Sequence, residues 1–462
     1  MLQHYIGDRA FYRRAIVTAA PIILQNLITN FVAMLDNIMV GLLDTAQISA
    51  VTIANNNLLF IFNLCMFGCV SCGGIFTTQF YGSGDQRGIR HTFRFKLISC
   101  TLLTALAAAI FWFGTDPLVG LYLRGEGDPV LAAATLEYGR QYLHIMIWGL
   151  IPFAVTNAYA ATLRECGEPA VPMYAGFAAT AVNLVLNYLL IFGRFGAPRL
   201  EIAGAAIATV ISRYVELLIV MLWTHRHTEK NPYAKGLYRG FHIPAPLLRQ
   251  IILRGLPLLL NELLFSGGLA FLNQCYSLCG LDVVPALSIS STIYNLTAVV
   301  TRSLGITVGI LTGQMLGADL PEQQIRDDNR RLIVLSVFSG VVFGGITAAL
   351  GGVFPKIFNT TNEVRQLATW LILLSAVFLP LQAYNLPAYF TLRSGGKTVT
   401  TFLFDSGSIW LLMVSTAFIL TRYTALPILT VFTLTNAMEG IKCIIGGVLI
   451  RKGSWIQNLT VH

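Results

Sequence analysis

Residues 15–43 read AIVTAAPIILQNLITNFVAMLDNIMVGLL, an apolar stretch interrupted by one proline and one acidic residue. A helix of about 20 apolar residues crosses the hydrocarbon layer of a bilayer, so this stretch is long enough to span a membrane. Asp36 then costs at least ~2.5 kcal/mol unless it faces a cavity or a partner. Pro21 removes one backbone hydrogen bond and predicts a bend. A bendable helix with a titratable group is typical of an ion-driven transporter, whereas the alternative is that Asp36 only pairs locally near the membrane face.

The composition indicates a polytopic membrane protein. Of the 462 residues, 55% are hydrophobic and only 11% are charged, whereas a soluble protein has about 25% charged residues. The net charge of +9 comes from short basic runs between apolar segments, which is a topology signal and does not predict a nucleic-acid partner. We expect the first apolar segment to insert without a cleavable signal peptide, because it is long and no small-residue cleavage site follows it.

Twelve apolar segments are long enough to be membrane spans. Only helices satisfy their own backbone in lipid at these lengths, so the chain is expected to be an all-α bundle of twelve transmembrane helices. The segments are 15–43, 47–81, 93–114, 138–163, 170–192, 202–223, 247–275, 284–315, 332–353, 366–392, 398–420 and 425–450.

The distribution of lysine and arginine predicts the orientation. With the N-terminus in the cytoplasm, the inner loops carry about three times as many basic residues as the outer loops. Both termini are therefore predicted to be cytoplasmic, in a multi-pass protein of the plasma (inner) membrane.

The two halves of the chain resemble each other. Pro21 aligns with Pro257 at an offset of 236 residues, and further short matches keep their order along the chain. We interpret this as a duplication of six helices: an N-terminal lobe at 1–223, a cytoplasmic linker at 224–246 and a C-terminal lobe at 247–462. Because six is even, the two repeats are parallel, and such bundles normally enclose a cavity at their interface.

Two carboxylates inside the predicted spans lack a partner nearby in the sequence. These are Asp36 and Glu262, each in the first helix of a repeat. The other charges within the spans have local explanations. Arg213 with Glu216, and Glu439 with Lys442, are spaced i, i+3, so the two members of each pair can neutralise each other. Asp405 lies close to a cytoplasmic loop, and Arg302 is left as an open partner for Glu262.

Amide and hydroxyl groups recur near the end of the first repeat. Asn183 and Asn187 are spaced i, i+4, which places them on one helix face, and Thr209 follows in the next span. Oxygens of this kind beside a carboxylate suit a proton relay or a small cation such as Na⁺. Hydrogen bonding between helices, with no role in transport, is the alternative.

No motif predicts an enzyme or a cofactor. The eight cysteines lie in or beside apolar segments and read as packing residues without zinc-ligand spacing. There is no Walker sequence, and there are no paired acidic motifs at helix ends of the kind that a membrane-embedded metalloenzyme needs. We therefore expect no cofactor beyond a coupling ion, and no metal site beyond a Na⁺ position near Asp36.

At several of these residues the chain resembles the multidrug and toxic compound extrusion (MATE) family of secondary transporters. The resemblance extends along essentially the whole chain, and its most specific part is 183–216. The stretches that carry it are LDNIMVGLL at 35–43, NLVLNYLLIFGRFGAPRLEIAGAAIATVISRYVE at 183–216, GLPLLLNELLF at 255–265, TLRSGGKT at 391–398 and RKGSWIQNLT at 451–460.

The resemblance implies a V-shaped, two-lobe exporter of amphiphilic, often cationic, drugs or metabolites in exchange for H⁺ or Na⁺. It implies that Asp36 binds the proton or cation, that Glu262 is the matching acid in the seventh helix, and that the first helix bends at its proline. Asn183, Asn187 and Thr209 are then the neighbours of Asp36. We expect a monomer that contacts small-molecule substrates and the bilayer.

Two positions depart from the family pattern. Many members have an aspartate where this chain has Asn187, which lowers the negative charge of the site. Some members also have an acid in the tenth helix, where this chain has Gln382 and Asn385, and these two are weaker candidates for the site. A lipid-linked oligosaccharide flippase of the same superfamily is the alternative function.

Overall fold

The computed structural model describes residues 7–123 and 128–460, and this part of the chain contains helices and no strand. Twelve of the helices are long and apolar enough to cross a membrane, which confirms the predicted fold class and number of spans. They are α1 (Arg9–Val40), α2 (Thr45–Gly82), α3 (Gln86–Tyr122), α4 (Pro129–Glu165), α5 (Ala170–Phe192), α6 (Glu201–Arg226), α7 (Ala245–Ser277), α8 (Val283–Gly317), α9 (Glu322–Gly351), α10 (Asn362–Ser394), α11 (Thr398–Tyr423) and α12 (Ile428–Lys452).

Several helices extend beyond their predicted apolar segments. The helix α4 begins at Pro129 although the apolar segment begins at residue 138. A helix start is decided by capping, and here the Asp128 side chain accepts hydrogen bonds from the backbone N–H groups of Val130 and Leu131, with a proline in the first turn. Hydropathy reports only the part of a helix that contacts lipid, so it underestimates the helix length.

Two spans contain wider, π-helical turns. In α2 these turns cover Ile53–Leu59, and in α11 they cover Leu403–Gly407 and Ile409–Val414. Such turns are often found at functional positions because they redirect side chains from the regular helical face. Asn55 and Asp405 both lie in these turns, and both make side-chain contacts with other helices.

The chain divides into two compact units. Unit 1 comprises Met1–Ile23, Thr78–Asp85 and Gln250–His462, and unit 2 comprises Leu24–Thr77 and Gln86–Arg249. The division therefore passes through α1, just after Pro21. The predicted lobes at 1–223 and 247–462 are repeats along the sequence, whereas the two units are defined by contacts in space. The lobes therefore stay a prediction, which the division into units does not test.

Unit 1 contains the first half of α1 because that half packs on α8. Ala15 is buried in one cluster with Val308 and Leu311. The end of α2 approaches the same helix closely: a methyl group on Gly317 would collide with the backbone carbonyl of Gln79. A small residue at this position lets the two backbones meet, as is common between membrane helices.

Unit 2 also contains the polar segment between α6 and α7, which the sequence predicts to be a linker. Arg94 of α3 donates to the backbone carbonyls of Gly236 and Leu237, at 2.8 and 2.9 Å. Tyr233 is 2% exposed, and burial raises the pKa of its phenol, so the ring remains neutral. The segment is therefore packed on α3 rather than extended into solvent.

Candidate functional site

Asp36 lies in the last third of α1, where its side chain is half-buried within unit 2. Its main contact is with α5: Nδ2 of Asn187 donates to Oδ1 of Asp36 at 2.7 Å. Asn187 is only 2% exposed. The carboxylate thus faces a buried amide of another helix, and its proximity to Asn187 agrees with the neighbourhood that the resemblance implied.

The other two predicted neighbours continue this contact. In one orientation of the Asn183 amide, its Oδ1 accepts from Asn187 at 3.1 Å and its Nδ2 donates to Oγ1 of Thr209 at 3.3 Å. With the amide turned over, its nitrogen lies 3.1 and 3.2 Å from the two oxygens of Asp36. The first orientation links Asp36, Asn187, Asn183 and Thr209 in one chain of hydrogen bonds, and the second brings both amides directly to Asp36. We call these four side chains, on α1, α5 and α6, the Asp36 cluster.

The spacing within α5 explains why this cluster forms. Residues at i and i+4 stack on one helix face, so Asn183 and Asn187 point into unit 2 together, at 6% and 2% exposure. Buried amides normally use every donor and acceptor. Among the residues that the structure describes, Oδ1 of Asn187 has no donor. In addition to its carboxylate, the Asp36 cluster therefore has one oxygen, Oδ1 of Asn187, that can accept a further hydrogen bond.

Two further polar contacts lie in the same unit. Arg213 and Glu216 form the predicted i, i+3 ion pair on α6, at 3.4 Å. Asn55, in the π-helical turns of α2, exchanges hydrogen bonds with the hydroxyl of Tyr142 at 3.1 and 3.2 Å. The Asn55 contact was not predicted, and the only signal for it in the sequence is an asparagine run inside an apolar segment.

Glu262 lies on α7 in unit 1, where its side chain is half-buried. The hydroxyl of Tyr389, on α10, donates to its Oε1 at 3.3 Å. Arg302 is exposed, and no ion pair joins it to Glu262 in the part of the chain that the structure describes. The direct contact of Glu262 is thus a phenol rather than Arg302, and the positive charge that acts on it is that of Arg393 on α10.

A second buried group in unit 1 corrects a predicted pairing. Lys442 does not form its ion pair with Glu439 on its own helix; its Nζ lies 2.7 Å from Oδ1 of Asp405 on α11. Asn261 on α7 donates to the other oxygen of that aspartate at 3.0 Å. A partner on another helix is favoured here because the wide turns of α11 bring Asp405 to face α12.

The weaker candidates on α10 have their own partners. Asn385 is 3% exposed and donates to Oε2 of Glu439 at 2.6 Å, so Glu439 pairs with an amide instead of Lys442. The hydroxyl of Tyr294 donates to Oε1 of Gln382. The structure therefore places Asn385 beside an acid of α12, which the sequence analysis did not anticipate.

Pro21 lies inside α1, which is helical on both sides of it from Arg9 to Val40. Pro257 occupies the same position in α7: each proline is twelve residues after the first residue of its helix, Arg9 or Ala245. The matching positions agree with the alignment of the two halves.

The described residues contain no group of three or more His, Cys, Asp or Glu side chains placed to hold a metal ion. The eight cysteines are free. The side chains that meet between these helices are instead single carboxylates with amides and hydroxyls, and two of the carboxylates, Asp405 and Glu165, each pair with a lysine, Lys442 and Lys96. Twelve spans with titratable groups held between them define a multi-pass membrane transporter as the class of this protein.

The comparisons with known proteins identify the family. The model of the MatE family matches residues 21–189 and 257–433, which together are most of the chain. The protein therefore belongs to the MATE family of multidrug efflux transporters, and its relatives are transporters rather than enzymes. The two matches begin 236 residues apart, which is the offset expected from the duplication.

The relatives are distant in sequence and similar in fold. Multidrug resistance protein MdtK of Yersinia pestis (strain Pestoides F) is 25% identical over 428 residues, covering 91% of this chain and 89% of that protein. "Probable multidrug resistance protein YoeA" of Bacillus subtilis is 25% identical over 422 residues, covering 89% and 87%. A crystal structure of MATE in the bent conformation covers 98% of both chains with a TM-score of 0.82 and 19% identity. These findings do not favour the flippase alternative.

The Lys442 ion pair generates a prediction about stability. Removing one partner of a buried pair leaves an uncompensated charge, so Lys442→Met should lower the free energy of unfolding by about 3–5 kcal/mol. The double variant Lys442→Met/Asp405→Asn removes both charges and should recover most of this loss. Thermal unfolding of the purified protein in detergent measures both effects.

The matched control for this prediction is the Arg140 to Asp116 ion pair, whose side chains are 39% and 54% exposed. Arg140→Gln should leave the free energy of unfolding close to that of the wild type, because solvent screens this exposed pair. If Arg140→Gln and Lys442→Met lowered the free energy of unfolding equally, the buried charge of Asp405 left without its lysine could not be the cause of the loss in Lys442→Met.

Proposed function

We propose that this transporter exports amphiphilic, often cationic, drugs or metabolites from the cell in exchange for H⁺ or Na⁺. It acts as a monomer in the plasma (inner) membrane with both termini in the cytoplasm, and it uses no cofactor other than the coupling ion. The observation that supports this most is the Asp36 cluster: a carboxylate inside a membrane-spanning helix, 2.7 Å from a buried amide and without a basic side chain in hydrogen-bond contact among the described residues.

The exchange follows from the charge of this cluster. An ionised carboxylate in a membrane helix is costly, and a proton, a sodium ion or a cationic substrate each removes that cost. Only one of them can occupy Asp36 at a time, so coupling ion and cargo compete for it. Competition for one group, combined with alternating access, is sufficient to exchange ion for cargo.

The amide at position 187 favours H⁺ over Na⁺ as the coupling ion. Na⁺ is a hard cation that takes oxygen ligands. Asn187 presents a nitrogen donor to Asp36, whereas an aspartate at this position, which the resemblance to the family implies for many members, would offer a second carboxylate. A proton on the Asp36 carboxyl requires only an acceptor, and Oδ1 of Asn187 is without a donor among the described residues.

The available energy is adequate for export. One proton moving inward supplies about 1.4 kcal/mol per pH unit. Exchange of one proton for a cargo with one positive charge moves no net charge, so the pH gradient is the driving force. Each 1.4 kcal/mol corresponds to a tenfold concentration ratio of cargo. A single carboxylate that carries one proton per cycle can therefore sustain roughly tenfold or greater accumulation outside.

Glu262 is proposed as a second, supporting carboxylate. It is half-buried in unit 1 and its contact is a neutral phenol, so it too lacks a permanent counter-charge in hydrogen-bond contact. Asp405, in the same unit, is paired with Lys442 and is proposed to be structural. Gln382 and Asn385 are proposed to act indirectly, by holding Tyr294 of α8 and Glu439 of α12 in place.

The names of the relatives support the substrate class. Proteins at 25% identity along most of the chain are called multidrug resistance proteins. Solved structures of the family are described as bent and straight conformations. We propose that this chain also alternates between two shapes, with Pro21 as the bending point of α1, where the boundary between the two units also falls.

Asp36→Asn should abolish ion-driven export, because an amide cannot exchange a proton or hold a cation by charge. The measurement is efflux of a fluorescent cationic dye from energised vesicles that contain equal amounts of folded protein. Asp116→Asn is the matched control, since this aspartate of α3 is 54% exposed and contacts Arg140 at the surface. Wild-type efflux by the Asp36→Asn variant would refute the proposed role.

The coupling ion is tested by imposing pH and Na⁺ gradients separately on vesicles that contain labelled dye. We expect the pH gradient alone to drive counterflow and the Na⁺ gradient at constant pH to add little. Asn187→Asp supplies a second carboxylate and should make transport respond to Na⁺. If a Na⁺ gradient drove counterflow by the wild type as well as a pH gradient does, the amide of Asn187 would not determine which ion is coupled to transport.

The role of Asp36 and the role of Glu262 are separated by the same assay. Glu262→Gln should retain pH-driven efflux at a reduced rate, whereas Asp36→Asn should retain none. A complete loss of pH-driven efflux in Glu262→Gln would show that both carboxylates are required for transport, which contradicts a supporting role for Glu262.

Pro21→Ala restores a backbone N–H and straightens the intrahelical hydrogen bonding, so it should oppose bending of α1. We expect dye binding to be preserved and the rate of export to fall several-fold. Pro117→Ala, inside α3, is the control for a proline replaced within a span. An unchanged rate in Pro21→Ala would exclude bending at this residue as a step of transport.

A further inference from the structure

Unit 1 contains a cavity of about 480 Å³ that is separate from the residues discussed above. It lies between α9, α10 and α12, near the residue where α9 begins and the residue where α12 ends. Three of its lining residues are arginines, at 326, 330 and 451, and most of the others are apolar or aromatic, including Phe338, Tyr384 and Trp455. We call it the arginine cavity.

One face of α9 gives this cavity its polarity. Arg326, Arg330, Val334 and Phe338 recur every four residues, so they form one ridge along the helix. The ridge changes from basic to apolar after Arg330, and Phe338 lies about 12 Å further along the axis. Val334 and Phe338 are 38% and 65% exposed. A ridge of this kind on a membrane-spanning helix is suited to a head group at one end and a hydrocarbon chain along the rest.

Three arginines make the basic end of the cavity positive. Arg326 is held in place by Glu322 at 2.5 and 3.0 Å and by the carbonyl of Arg451 at 2.9 Å. Arg330 is 44% exposed and lies 3.8 Å from Asp327, a weak ion pair. In the described chain no acidic side chain lies within 4.0 Å of the Arg451 guanidinium, which is exposed. Among the described residues that line the cavity, none is acidic.

Two glycines keep the cavity open. Gly447 of α12 lines it, and a methyl group there would lie 3.3 Å from the hydroxyl of Tyr384. Gly453, with φ of +72°, turns the chain after α12, and a side chain at this position would collide with Arg326. The turn returns Trp455 to the cavity wall, where it is fully buried and donates to the carbonyl of Ile450 at 3.0 Å.

We propose that the arginine cavity binds an anionic phospholipid. Its phosphate group lies between Arg330 and Arg451, and one acyl chain follows Val334 and Phe338. Guanidinium groups bind phosphate through paired N–H donors, and basic pockets between membrane helices select acidic head groups. A zwitterionic lipid would bring its own cation to the same arginines and bind less tightly. The proposal does not depend on the transport cycle.

The test is native mass spectrometry of the full-length protein in detergent, titrated with phosphatidylglycerol or with phosphatidylcholine of the same acyl chains. We expect phosphatidylglycerol to bind at least about tenfold more tightly. Arg330→Gln/Arg451→Gln should weaken phosphatidylglycerol binding about 30-fold, because each arginine near a phosphate contributes a factor of about five. Val334→Trp, which fills the apolar part without changing charge, should weaken it as well.

Arg422→Gln/Lys452→Gln is the matched control. It removes the same charge, and Lys452 is exposed at the same end of α12 without lining the cavity. Its affinity for phosphatidylglycerol should stay within twofold of the wild type.

Three results would overturn the proposal: equal binding of the two lipids, unchanged binding in both cavity variants, or displacement of the lipid by equimolar soluble glycerol phosphate. The last would identify a site for free phosphate. If the double-arginine variant does not fold, as judged by thermal unfolding, the proposal is tested by the affinity of Val334→Trp for phosphatidylglycerol, and an unchanged affinity overturns it.

Discussion

Charge inside the membrane is the constraint on which the rest of this structure depends. A carboxylate in a spanning helix is tolerated only where a donor meets it, and the donors here come from other helices. Asn187 of α5 meets Asp36 of α1, and Lys442 of α12 meets Asp405 of α11. Each contact fixes how two spans face each other, so the packing of the helices and the chemistry of the buried groups are determined together.

Asp36 and Asp405 are satisfied in different ways. In unit 1 Asp405 is balanced by a permanent positive charge and by the amide of Asn261. In unit 2 the direct contact to Asp36 is a neutral amide, so no charge cancels it through that contact. A carboxylate in direct contact with a lysine stabilises one arrangement of the helices, whereas a carboxylate whose direct contact is a neutral amide can take up a proton or a cation. This difference is why we assign exchange to Asp36 and structure to Asp405.

Some parts of the candidate site could be predicted from the sequence and others could not. Asn183 and Asn187 are on one face because the helical period requires it, and their contact was predictable from i, i+4 spacing. The partner of Lys442 was predicted wrongly, because the same spacing rule offered Glu439. Spacing describes neighbours on one helix, and it contains no information about the wide turns that bring another helix closer.

The sequence by itself determined the twelve spans and the all-helical fold, because hydropathy and backbone hydrogen bonding in lipid leave no other choice over such lengths. It also singled out Asp36, since a lone acid in an apolar stretch is conspicuous. Only the tertiary structure decided which helix supplies each partner. It also decided that unit 1 includes the first half of α1 and that three arginines line one cavity. These outcomes depend on contacts between residues far apart in the chain, and local pattern does not encode such contacts.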